Sequence, residues 1–212
     1  MAGAATSPRE RYRAQLRAEI KQHAWEQIAT AGASALSLKA IAKQVGMSGP
    51  ALYHYYASRD ELITELIRDA YRSLADALKA AADEGADLAG MARAMRRWAL
   101  ADPHRYHLIY GTPVPGYHAP DDTVATSREI MDMLLAAGPE IAAAAPTAFD
   151  EHLAGRMLAG KREPAPAALR RGLTFWTRLH GVLSLELAGH FDGMDFDPEC
   201  LFEAEVESLL AQ

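Results

Sequence analysis

The residues best suited to chemistry stand close together. The run Ser48-Gly49-Pro50-Ala51-Leu52-Tyr53-His54-Tyr55-Tyr56 begins with small residues and continues with hydroxyl and imidazole groups. If Leu52 and Tyr56, four apart on a helix, face inward, Tyr53 and His54 face out. Donors in that position reach phosphate oxygens or base edges. Ser48, Gly49, Pro50 and Ala51 let the backbone approach a groove closely. Arg59 stands at the start of the next helix, where its charge and the free backbone N–H groups favour a phosphate. The competing reading is three ordinary core helices with solvated aromatics.

Three helices must position that run. The first is expected over 12–31, with Leu16, Ile20, Ala24 and Ile28 on one stripe and Gly32 as its stop. Ser37 caps a short second helix whose face is Leu38, Ile41, Ala42 and Val45. Gly46 ends it, and Ser48 caps the third, with Pro50 tolerated in the first turn. Helix, tight turn, helix over 37–56 is helix-turn-helix geometry, in which the second helix enters the major groove. Ser58-Arg59-Asp60-Glu61 is a capping box for a fourth helix through Leu62, Leu66, Leu74 and Leu78, fading near Gly85. At about 1.5 Å per residue it approaches ~40 Å, more than the head needs, so it is expected to link head to body.

Beyond it the sequence reads as helices at 88–102, 103–110, 122–137, 147–159, 167–190 and from 198 on. A Pro- and Gly-rich loop is expected at 111–120 and a polar one at 161–166. No stretch shows sustained period-two alternation. The expected fold is therefore all-α. An N-terminal three-helix domain at 1–57 is joined by a long helix to a larger helical domain within 58–212.

Composition bounds the function. The chain has 212 residues, 50% of them hydrophobic and 24% charged, which is ordinary for a folded protein. Its net charge of −6 is unevenly spread. Residues 1–57 hold seven Lys or Arg (Arg9, Arg11, Arg13, Arg17, Lys21, Lys39, Lys43) against three acids, while the rest is strongly acidic. A basic head on an acidic body fits one end meeting a polyanion. The single cysteine, Cys200, excludes an intrachain disulfide or a thiolate zinc cluster. No apolar run is long enough for a membrane span and no signal peptide is legible, so a soluble, cytoplasmic protein is expected.

With these features spaced from Ser37 to Leu62, including Ile41-Ala42, Val45-Gly46, Ser48, Leu52-Tyr53-His54-Tyr55-Tyr56 and Ser58-Arg59-Asp60-Glu61-Leu62, the chain resembles the tetracycline-repressor (TetR) family of bacterial regulators. The resemblance implies a dimeric regulator with an N-terminal DNA-binding domain and a C-terminal ligand-binding and dimerisation domain. It places Gly49, Pro50, Ala51 and Tyr53 toward bases or groove. His54, Tyr55 and Arg59 fall at largely phosphate-facing positions, and Ser37 and Lys39 where the preceding helix meets the backbone. The family often has His, Phe, Pro and Lys where this chain has Tyr55, Tyr56, Ala57 and Arg59. Either Tyr55 or His54 is thus open as the phosphate contact. Trp176-Thr177-Arg178-Leu179-His180-Gly181 is similar to a Trp-His-Gly segment in one type of C-terminal domain, and Pro113-Val114-Pro115-Gly116-Tyr117 is similar to relatives with that body.

In the body, Met91, Met95, Trp98, Tyr106, Met131, Leu135, Trp176 and His180 are candidate walls of an apolar ligand cavity, against the plain alternative of a helical core. Gly181, Ser184 and Ala188, with Leu201, Phe202, Val206 and Leu209 on the last helix, are candidates for a dimer seam of two helices per chain. His104 and His107 are spaced for one metal, but no third ligand is evident, so no metal and no cofactor is expected. Glu186 is the only charged residue between Arg178 and Asp192, a place to look for a buried carboxylate. Cys200 lies in a first helical turn, suited to a small seam residue or a redox-sensitive thiol. The partners expected are a near-palindromic operator duplex, a second copy of the chain and a small-molecule effector. The functional expectation is a homodimeric repressor released from DNA by a small, largely apolar ligand. The alternative is a helical enzyme or carrier using the body cavity, although no catalytic motif is legible.

Overall fold

The computed structural model describes residues 7–117, 121–138, 146–156 and 165–211. The described residues are helical throughout, with no strand among them. The helices are α1 (Pro8–Ala31), α2 (Leu38–Gln44), α3 (Gly49–Tyr53), α4 (Arg59–Asp83), α5 (Leu88–Ala101), α6 (Pro103–Tyr110), α7 (Asp121–Ala137), α8 (Ala148–Arg156), α9 (Pro166–Leu187) and α10 (Pro198–Leu210). They form two compact units. One comprises residues up to Ala70 together with His104–Thr123, the other Tyr71–Pro103 and Val124 onward. The units part within α4, and His104–Thr123 groups with the first.

In the first unit α1 buries Leu16, Ile20, Ala24 and Ile28, the stripe legible in the sequence. It begins at Pro8, earlier than the expected residue 12. Ser7 supplies a full capping box: its hydroxyl accepts from the Glu10 N–H at 3.2 Å, and the Glu10 carboxylate accepts from the Ser7 N–H at 2.7 Å. Gly32, with φ of 77°, takes a conformation few side chains allow and ends the helix. Arg17 pairs with Glu65 and Lys21 with Asp69, each at 2.6 Å, joining α1 to α4. The Arg17 guanidinium also lies 4.8 Å from the centre of the Tyr56 ring.

The returning segment is held by its own chemistry. The Tyr117 and Thr64 hydroxyls share a hydrogen bond at 3.0 Å, Arg105 lies over the Trp25 ring, and Val114 is buried. These contacts tie α6 and the loop after it to α1 and to the first half of α4.

In the second unit α9 buries Phe175, Leu179, Val182 and Leu183, and α10 buries Phe202, Val206 and Leu209. Gly172 lets α7 and α9 approach closely, since a Cβ there would lie 2.7 Å from Leu135 Cδ2. Arg93 with Glu203 at 2.7 Å, and Arg178 with Glu205 at 2.5 Å, fasten α10 to α5 and α9. Glu186 answers the question it raised in the sequence. It is 12% exposed and faces an Arg96 guanidinium equally buried, 2.7 Å away. Asp150 of α8 is likewise buried against Arg170 of α9. The helix expected to reach 190 ends at Leu187, because Gly189 turns to a φ of 74° and its N–H bonds back to the Glu186 carbonyl. The end of the helix expected over 147–159, and parts of both expected loops at 118–120 and 161–164, lie outside the described residues.

Candidate nucleic-acid interface

The helix-turn-helix is built by caps and by a divided helical face. The Ser37 hydroxyl accepts from the Ala40 N–H and the Ser48 hydroxyl from the Ala51 N–H, both at 3.3 Å. These oxygens start α2 and α3, and each hydroxyl keeps its own O–H to donate to a phosphate. Gln27, which sequence reasoning missed, accepts from the Ser37 N–H through its side-chain carbonyl at 2.9 Å and sets where α2 begins. Nothing in its spacing marked it. Gly46 makes the turn with φ of 68°.

On α3 and just after it, Leu52 and Tyr56 are 0% exposed while Tyr53 is 55% exposed. His54 and Lys39 are also exposed, as are Ser48 and Pro50; Gly49 and Ala51 are half-buried on the same short helix. Tyr55 differs from Tyr53. It is half-buried, with the Arg13 guanidinium 5.9 Å from its ring centre. Of the two residues left open for a phosphate contact, His54 is the more exposed.

Arg59 also has a structural place that its spacing does not mark. Its guanidinium donates to the backbone carbonyls of Ala33 at 2.8 Å and Ser34 at 3.2 Å, and lies 3.4 Å from Asp60. It fastens the turn after α1 to the start of α4. Both carbonyl bonds leave one nitrogen, Nη2, while Nη1 faces the Asp60 carboxylate. Arg59→Ala should therefore lower stability by about 1–2 kcal/mol, read as a fall in the urea midpoint with unchanged m-value. Ser58 caps α4 as expected, its hydroxyl accepting from the Glu61 N–H at 3.1 Å, while the Glu61 carboxylate accepts from the Ala57 N–H at 2.5 Å.

The proposed cavity residues divide between the units. Tyr106 belongs to the first, fully buried beside His107 and Tyr110. Met91 and Met95 are buried in the second unit, Trp98 donates its indole N–H to the Ser73 hydroxyl at 3.1 Å, and Met131 and Leu135 line the close approach at Gly172. Trp176 and His180 do share a face, their ring centres 4.1 Å apart.

Burial pushes the His180 pKa down to about 4. A histidine held neutral binds fewer protons folded than unfolded, so its share of stability is present above about pH 6.5 and is lost as pH falls toward 4. The expected loss between pH 7 and pH 4 is about 3 kcal/mol. Urea titrations of wild type and His180→Phe across that range check it, the variant showing the flatter profile.

The seam residues divide too. Gly181 and Ala188 are exposed and Ser184 and Leu201 half-buried, but Phe202, Val206 and Leu209 face their own chain, where burying apolar surface already occupies them. Cys200 is exposed. His104 and His107 line a groove of about 400 Å³ in the first unit with Pro113, Val114 and Pro115. No group of three or more potential metal ligands occurs among the described residues.

With this geometry in hand, known proteins decide the family. Residues 20–66 match the model described as bacterial regulatory proteins, tetR family, and residues 88–209 match the tetracyclin repressor-like C-terminal domain. The chain belongs to the TetR family. An HTH-type transcriptional regulator of Mycobacterium tuberculosis is 34% identical over 94% of this chain and 92% of its own, as is one of Mycobacterium bovis. The crystal structure of SCO4313, described as a regulatory protein, is 63% identical, covers 97% of this chain and 100% of that one, and superposes with a TM-score of 0.88. The TetR-family regulator PfmR of Thermus thermophilus, at 20% identity over 91% of this chain and 97% of its own and a TM-score of 0.60, shares the fold. This TetR-family chain is thus a regulator of transcription and not an enzyme, and the enzyme alternative falls away. No helix among the described residues is long and apolar enough to cross a membrane.

Proposed function

We propose that the protein is a homodimeric, sequence-specific repressor whose residues 1–57 read an operator and whose residues 58–212 dimerise and receive a small, largely apolar effector. The observation that carries the DNA-reading half is α3. Its apolar residue Leu52 is spent on the core while Tyr53 and His54 are left on the surface of a basic segment. A short helix that exposes an aromatic hydroxyl and an imidazole, with Lys39 exposed on the preceding helix, is matched to a polyanion with a patterned groove. Two heads would read half-sites about one helical turn, ~34 Å, apart or somewhat more.

Support for the dimer is the apolar surface left on the α9–α10 region: Leu185, Met194, Phe196 and Leu210 are all exposed beside Gly181 and Ala188. Support for the effector is the half-buried His180, its ring tilted against that of Trp176 on the same face of α9, one polar handle in a largely apolar wall. A single helix, α4, runs from Arg59 to Asp83. A coupling of about 1–3 kcal/mol would change operator affinity roughly 5–150-fold. Hydroxyl-radical footprinting on a duplex selected from a random pool, with light scattering of the complex, tests the assembly. Two related protected segments one turn or more apart, on a complex containing two chains, are expected. A single protected segment held by one chain would refute the dimeric reading.

A further inference from the structure

The first two turns of α1 and the reading helix α3 enclose a cleft of about 750 Å³ within the first unit. Arg9, Tyr12 and Arg13 line it from α1, and Ala51, His54 and Tyr55 from α3 and the residues after it. This cleft exists because α1 begins at Pro8 under the Ser7–Glu10 capping box; a helix starting at residue 12 would leave one wall missing. Arg9 and Arg13 are four apart and so lie on one helical face, with Cβ atoms about 6 Å apart. Both are exposed, as is Tyr12, and Arg13 leans on the Tyr55 ring. The acid in the cleft, Glu10, is engaged by the Ser7 N–H, which holds its carboxyl below the usual range.

We propose that this cleft seats the sugar–phosphate backbone of duplex DNA flanking the groove that α3 reads, with Arg9 and Arg13 each on a phosphate and Tyr12 against the sugar. The inference rests on the reading of α3 given above. Two features select the occupant. The cleft is continuous with α3 through Ala51 and His54, so any duplex docked on α3 passes its mouth. Its mobile charges are cationic, which suits an anionic backbone. Phosphate contacts of this kind position a protein on DNA and add affinity without adding sequence information. The first turns of α1 would therefore be a second DNA-contacting element, supplying salt-dependent affinity that α3 alone does not.

The test uses the full chain and a duplex selected from a random pool by the wild-type protein, with a scrambled duplex beside it. For Arg9→Gln/Arg13→Gln the slope of log affinity against log salt should fall by about 0.9 for each lost phosphate, nearly 2 per head. Affinity at physiological salt should drop about 100-fold. The ratio of affinities for the selected and scrambled duplexes should stay within about threefold, because phosphate contacts weaken all sequences alike. Arg9→Lys/Arg13→Lys should keep most of the slope. Arg11→Gln removes the same kind of charge from a side chain that does not line the cleft, and should cost clearly less. The capping box is untouched in every variant, and matching thermal melts confirm the fold. If the double Gln variant keeps the wild-type slope, or loses no more than Arg11→Gln does, the cleft does not seat the backbone. If the wild-type protein shows no preference for the selected duplex and no salt dependence, the DNA reading of α3 falls as well.

Discussion

The double variant Tyr53→Ala/His54→Ala is expected to lose sequence-specific DNA binding while keeping its fold. Neither side chain contributes to the core, which takes Leu52 and Tyr56 from the same stretch. Surface truncations of this kind usually change stability by less than about 0.5 kcal/mol. Their effect on binding is multiplied by symmetry. If each residue is worth about 1 kcal/mol at base edge or phosphate, two residues on two heads give about 4 kcal/mol, roughly a thousandfold in affinity. Gel retardation against random competitor measures it, with the thermal melt as control. A variant that melts like wild type and still discriminates its site would show that α3 does not read the groove.

The second large effect is on stability. Arg96→Ala is expected to destabilise the protein by about 2–4 kcal/mol, because Glu186 then keeps its charge in a largely buried place without a partner. Arg96 also reaches Glu199 at 3.2 Å and lies over the Phe202 ring, so its removal loosens α10 from α5 and α9 together. For a chain of this size the melting temperature should fall by about 5–15 °C. The two acids are not equivalent. Glu199 is 62% exposed, and Glu199→Gln should cost less than about 1 kcal/mol. Arg96→Met/Glu186→Leu should recover most of the loss, since replacing both partners by apolar groups removes the stranded charge. A single Arg96→Ala variant that melts within a degree of wild type would contradict this account.

The head was legible because its signals are local. Caps at Ser37, Ser48 and Ser58, glycines at 32 and 46 and a four-residue apolar stripe each act within one or two turns, and each is found where the spacing predicts it. What was not legible depends on contacts far along the chain. Nothing local marks that the Arg59 guanidinium also bonds carbonyls 25 and 26 residues earlier. The return of α6 to the first unit rests on Tyr117 meeting Thr64 across 53 positions. In the body, apolar spacing predicts a buried face without saying whose surface buries it. Phe202, Val206 and Leu209 therefore read as a seam and turned out to be their own chain's core. The early start of α1 was a local signal overlooked, as was the stop at Gly189: Ser7, Pro8 and Glu10 are the residues of a capping box and a first-turn proline.

Binding of the full chain to the DNA upstream of its own coding sequence, against random competitor and across a salt titration, tests the central claim most directly. The account predicts competitor-resistant binding that weakens steeply as salt rises, with several phosphates per head contributing to the slope. Binding to a pool-selected duplex no tighter than to random DNA, at every salt concentration, would contradict it.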